Sequence, residues 1–200
     1  GRGDDQMIVN HGDADIEVGR NFCNKLWNAC RFRQMSGPVG DNRSVEAIAA
    51  RIDGTKLDLF DHWILSRMVE TTATVERIFE NYELHQMTQA LYAFFWGDFC
   101  DWYVEASKAK LQGNAAVTSL AVQDLVIRQT LLLLHPLMPH LTEELWQQLG
   151  YAAKEGDFIQ NSVIPTAQGL KDALAKAGAA LNEQAAANAQ SVNEMVVKLR

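Results

Sequence analysis

The sequence predicts an all-α helical bundle. Apolar residues recur at three- and four-residue steps through most of the chain, the period of a helix with one buried face. Strand-like alternation is almost absent. Only four prolines interrupt a composition rich in Ala, Leu, Glu and Gln, residues that favour helix. Two hundred residues suit one domain, or one domain plus an extension, and can bury a real core.

Residues 1–14 show no periodicity and read as the tail of an upstream region. The first helix is expected to start at an Asp13 or Asp15 cap and to run to about Met35. Ser36-Gly37-Pro38 should stop it, with Gly37 taking a left-handed turn. Wound at about 100° per residue, residues 16–31 split in two. Ile16, Gly19, Phe22, Cys23, Leu26, Trp27, Ala29 and Cys30 form an apolar side. Arg20, Asn21, Asn24, Lys25, Asn28 and Arg31 form the other.

A polar connection follows, with a short helix possible at Val45–Arg51 and a turn at Asp53-Gly54. The second long helix spans about Leu57 to Tyr82. Its stripe is Phe60, Ile64, Met68, Val75, Ile78 and Tyr82. The third runs from about Glu83 to Gln112. Leu84, Leu91, Phe95, Phe99, Trp102 and Ala106 share one side, widened by Tyr92, Trp96, Cys100 and Tyr103. A helix this aromatic belongs near the bundle centre, and Gly97 would let a neighbour approach closely.

The fourth helix, Ala115 to about Leu134, is apolar almost all round. Asp124 and Arg128 are spaced to pair within it. His135-Pro136 and Met138-Pro139 break it. A short helix resumes, capped by Thr142 and ended by Gly150. Phe158 and Ile164 should tuck back from the loop that follows. From Thr166 the composition turns to Ala, Asn, Gln and Lys. Leu170, Leu174 and Leu181 mark one weak helix. Ala185, Ala189, Val192, Val196 and Leu199 mark another that continues to the end of the sequence, so the parent chain should extend further.

The net charge of −7 argues against indiscriminate nucleic-acid binding. A local exception lies between Gly19 and Gly40, with four basic residues and no acidic one. Asn is a poor helix-interior residue, so three on one face require a reason. Two are open: the amides bridge to a neighbouring helix, or they read base edges while Arg and Lys hold phosphates. Trp27, at the edge of the apolar side, is a candidate for base stacking.

No apolar run reaches membrane-spanning length and no signal peptide opens the chain. Cys23, Cys30 and Cys100 read as reduced thiols of a cytoplasmic protein. No metal site is expected, because there is no CxxC and the histidines do not cluster with the thiols. There is no glycine-rich phosphate loop and no nucleophile elbow. Glu143-Glu144 suit a first helical turn rather than a catalytic pair, so no catalytic residue is assigned.

The stretch R-N-F-C-N-K-L-W-N-A-C-R-F (20–32) resembles the opening helix of the anticodon-binding helical bundle in class I aminoacyl-tRNA synthetases, in the subgroup for valine, isoleucine and leucine. D-H-W-I-L-S-R (61–67) is similar to the next bundle helix. L-L-H-P-L-M-P-H-L-T-E-E-L-W (133–146) is similar to that group's helix–break–helix. Phe99-Cys100-Asp101-Trp102-Tyr103-Val104-Glu105 and His135-Pro136 with Thr142 to Trp146 look more like the valine enzymes than the isoleucine ones. The resemblance covers about residues 15–165. The family's usual Trp-Pro after the bundle is Ile164-Pro165 here, and the Ala-rich tail is weakly matched.

The resemblance implies a bundle over 15–165 with a truncated helical extension over 166–200. It implies a non-catalytic piece of a tRNA ligase that holds the anticodon arm of tRNA-Val as a monomer. The family's His-x-Gly-His and Lys-Met-Ser-Lys-Ser stretches are absent. ATP and the amino acid would therefore be handled by catalytic and editing domains upstream. The expected tRNA contacts are Arg20, Asn21, Asn24, Lys25, Asn28 and Arg31. The alternatives are the isoleucine enzyme's domain and, from another class, a helical protein–protein module.

Overall fold

Among the residues described by the computed structural model, 4–199, the chain forms eight helices and no strand; side chains are described from Ile16 onward, Leu84 excepted. They are α1 (Asp4–Met35), α2 (Val45–Ala49), α3 (Leu59–Glu80) and α4 (Leu84–Tyr92), which continues as a π-helix over Ala93–Val104 and an α-turn over Glu105–Ser107. Then come α5 (Ala116–Leu134), α6 (Pro139–Gln148), α7 (Ala167–Lys176) and α8 (Glu183–Lys198).

The bundle forms around α5. An all-round apolar helix can satisfy itself only by being enclosed, and every residue from Thr118 to Leu134 is buried. The expectation that no run reaches membrane-spanning length is corrected by this helix. Its 19 residues meet that test by length and composition, but 94% of its 18-residue apolar window is covered by the bundle itself.

The expected pair within α5 is also corrected. Asp124 turns instead to Arg33 at the end of α1, with Nη2–Oδ2 2.8 Å and Nε–Oδ1 2.7 Å, and to Arg51 Nη2 at 3.1 Å. Arg33 also donates to the carbonyls of Gly37 and Pro38, both at 3.2 Å. Tyr151 Oη donates to the Asp124 carbonyl at 2.8 Å. One buried carboxylate thus ties α1, the α2 segment and α5 together. Arg128 stacks over the Trp146 ring at 5.0 Å.

α1 starts earlier than expected. Its backbone is helical from Asp4, so the expected start at Asp13 or Asp15 falls inside the helix; the side chains of both lie outside those described. Ile16 is 62% exposed and a Cβ on Gly19 would meet nothing, so the apolar side engages the bundle only from Phe22. There the ring stacks on Tyr92 at 3.8 Å and meets Phe95 edge-on at 6.1 Å. Gly37 ends the helix in near-extended backbone rather than a left-handed turn; what it supplies is room, since a Cβ would fall 2.6 Å from a Leu120 methyl.

α3 opens on a capping box. Asp58 accepts from the backbone N–H groups of Phe60 and Asp61 at 2.9 Å, and Asp61 accepts from that of Asp58 at 2.9 Å. Asp61 is buried, and it takes Tyr103 Oη at 2.7 Å and the Lys110 ammonium. The predicted stripe is buried or half-buried from Phe60 to Ile78, but Tyr82 is not part of it. It stands 90% exposed at φ +59° in the α3–α4 turn.

The π-helix follows from the sequence spacing. Met87, Leu91, Phe95, Phe99, Tyr103 and Ser107, four residues apart, are all buried. In an α-helix each four-residue step drifts by about 40°, so five steps would carry the stripe about 200° around the axis. Combining α-turns with slower i→i+5 winding keeps the stripe on one side. Gly97 has no neighbour within 4 Å of a Cβ position, so the expected close approach there is absent.

Three smaller corrections follow from local chemistry. α6 starts at Pro139, whose fixed φ suits a first helical turn. Thr142 therefore sits inside it, with Oγ1 2.8 Å from His135 Nδ1. Phe158 and Ile164 are largely exposed; Tyr151 and Ile159 fill the core instead. In the tail, Leu170, Leu174, Ala186 and Ala189 are buried while Val192 and Leu199 face out. α7 and α8 lie on α3, fastened by Trp63 Nε1 donating to Gln190 at 2.8 Å and the Ala167 N–H donating to Glu76 at 3.0 Å.

Candidate nucleic-acid interface

The two sides of α1 differ in what they touch. Phe22, Leu26, Cys30 and Arg33 are buried against the bundle. Arg20, Asn21, Asn24, Asn28 and Arg31 are exposed, and Lys25 is half-exposed. Among the described residues, none of those five exposed side chains makes a hydrogen bond or an ion pair with the rest of the protein. The bridging explanation for the three asparagines therefore has no contact to rest on. Their amides and two guanidinium groups stand free in one row along the helix.

Lys25 is the exception. Its ammonium reaches Asp101 Oδ1 at 2.9 Å and lies 5.2 Å from the Trp96 ring centre. It fastens α1 to the π-helix, and only part of its charge is offered outward. Trp27 is half-buried against the core rather than free for stacking. The thiols beneath are inert. Burial pushes Cys30 above the ordinary thiol range and Cys100 up to about 12.

Chemically, this face can bind and cannot react. It offers amide donors and acceptors, two free guanidiniums and one shared ammonium, with no general base or nucleophile among them. Among the described residues no cluster of His, Cys, Asp or Glu could hold a metal ion. A basic row on an acidic chain concentrates positive potential on this side of α1.

Residues 61–200 match the family model described as the anticodon-binding domain of tRNA ligase. The chain belongs to that family. It is 41% identical over 149 residues to the valine–tRNA ligase of Prochlorococcus marinus strain NATL2A, a match covering 70% of this chain and 16% of that protein. It is likewise 41% identical over 159 residues to the valine–tRNA ligase of a Synechocystis strain, covering 76% and 17%. Against that of Syntrophotalea carbinolica it is 44% identical over 133 residues, covering 65% and 14%. The matched segments thus amount to about one sixth of those curated relatives' length. The chain corresponds to the non-catalytic anticodon-binding portion of such ligases.

Sequence reasoning did not identify Arg33 as the buried anchor of this helix. The signal was available: Arg33 lies seven residues after Leu26, on the same side of the helix, and the apolar α5 carries one Asp facing it.

Proposed function

We propose that this chain is the module of a valine–tRNA ligase that holds the anticodon arm of tRNA-Val, and that the exposed row Arg20, Asn21, Asn24, Lys25, Asn28 and Arg31 is its contact. The observation that carries the reading is that row itself: exposed and, but for Lys25, without a partner among the described residues, on the first helix of a chain that belongs to the anticodon-binding family. Arg20, Arg31 and the shared Lys25 would set the register on the phosphates, and the asparagines would meet bases unstacked from the loop. Amino-acid activation with ATP would fall to other parts of the parent enzyme. The buried or half-buried thiols suit a reducing cytoplasm.

The reading is tested by titrating the protein with tRNA-Val, an anticodon-swapped tRNA-Val and tRNA-Ile at several salt concentrations. Two to three phosphate contacts to a single strand predict a slope of log K against log salt between about −1.4 and about −2. Preference for the valine anticodon is expected at every salt concentration. Equal affinity for all three tRNAs would remove base reading from this module, and no binding at low salt would remove the module from recognition.

A further inference from the structure

A second basic feature lies away from α1. Arg128 is only 6% exposed, and its Nε and Nη1 are buried without a hydrogen-bond partner. Among the described residues no carboxylate pairs with it. The buried Arg33 and the partly exposed Arg51 both share Asp124. Arg128 has the face of Trp146, and Nη2, which is not enclosed like Nε and Nη1 and makes no hydrogen bond among the described residues, is the nitrogen a ligand can reach. Arg128 stays protonated at neutral pH even though burial lowers its pKa.

The side chain lines a pocket of about 420 Å³ with Arg43, Ser44, Glu46, Ser162 and Gly169. We propose that this pocket binds a phosphate group on Arg128. A tetrahedral oxyanion can accept from Arg128 Nη2 and still turn its other oxygens toward the hydroxyls of Ser44 and Ser162. Arg43 is already paired with Asp41, at 2.9 and 2.8 Å, so Arg128 is the cation left to a ligand. Glu46 on the wall opposes a second negative charge. The balance suits a singly charged phosphodiester, as in an RNA backbone, better than free phosphate. No residue of α1 lines the pocket, so the inference stands or falls apart from the reading of that helix.

The test uses small probes and no tRNA. Dimethyl phosphate, inorganic phosphate, acetate and chloride are titrated at constant ionic strength while the backbone N–H resonances of Ser44, Ser162 and Gly169, present in every variant, are followed by NMR together with the wild-type Arg128 Nε–H. Dimethyl phosphate should shift those resonances saturably. Arg128→Met should weaken its binding about ten- to a hundredfold, the loss expected for charged hydrogen bonds, and Glu46→Gln should tighten it. Tighter binding of inorganic phosphate than of the diester would make the free ion the ligand and keep the site. Equal shifts with acetate or chloride, or unchanged binding by Arg128→Met, would overturn it. Should Arg128→Met fail to fold, the wild-type shifts and Arg128→Lys, which keeps the charge without the guanidinium, still decide.

Discussion

Asp124 is a buried polar residue that ties three segments of the fold together. Both its oxygens face guanidiniums, its own carbonyl takes Tyr151, and it is fully buried. Asp124→Asn would leave the buried Arg33 cation uncompensated, which costs about 3–5 kcal/mol; urea unfolding of the variant measures it. Replacing the pair together, Asp124→Leu with Arg33→Met, should cost less than Asp124→Asn alone, because the buried Arg33 charge is then gone and Arg51, partly exposed, keeps Asn42. This centre was poorly legible in the sequence. Asp124 and Arg128 stand at the local spacing that pairs on a helix surface, but α5 has no surface. The partner chosen lies 91 residues away, a distance no local pattern reports. The exposed row on α1 was legible for the opposite reason: a helical wheel needs no partner to separate wet from buried.

The helices show which boundaries rest on chemistry visible nearby. Asp58 and Asp61 cap α3 reciprocally, and Asp58→Ala should cost about 1 kcal/mol. Burial raises the Asp58 pKa, but the Asp61 N–H and the Lys110 ammonium outweigh it and hold the carboxyl below its ordinary value. Its contribution is therefore full above the unfolded carboxylate value of about 3.9 and is lost as pH falls through the lower folded value. Between about pH 5 and about pH 2.5, wild type should lose more stability than Asp58→Asn, as read from denaturant melts. The turn after α3 holds a strained residue. Tyr82 keeps φ +59° while 90% exposed, so Tyr82→Gly should raise stability by about 0.5 kcal/mol, relief of left-handed strain less the entropy of glycine. The apolar residues of α4 were visible in the sequence. Its π winding was not, because the wheel assumes the period that the four-residue stripe forces the helix to abandon.

The whole molecule is a bundle in which the Ala-rich tail shares the core. Trp63 holds Gln190, and Leu170 and Leu174 are fully buried. Gly54 lies so near the loop after α7 that a Cβ would fall 2.1 Å from the Gly178 carbonyl. Removing residues 166–200 should therefore expose the α3 face and lower the melting temperature, with added dye binding as the check. Composition marked this tail only as a weak helical extension, since alanines bury little area each and leave only a weak stripe. What the fold does at this scale is hold α1 rigid from Phe22 onward, with its Arg/Asn side turned outward. That claim is tested most directly by measuring tRNA-Val affinity and thermal unfolding side by side for the Asn24→Ala, Asn28→Ala double variant. The account predicts at least about tenfold weaker binding, from lost base-edge hydrogen bonds, with the melting temperature unchanged. Unchanged affinity would take the asparagines out of tRNA contact, and an affinity and melting temperature that fall together would assign them to the fold; either result would contradict the account.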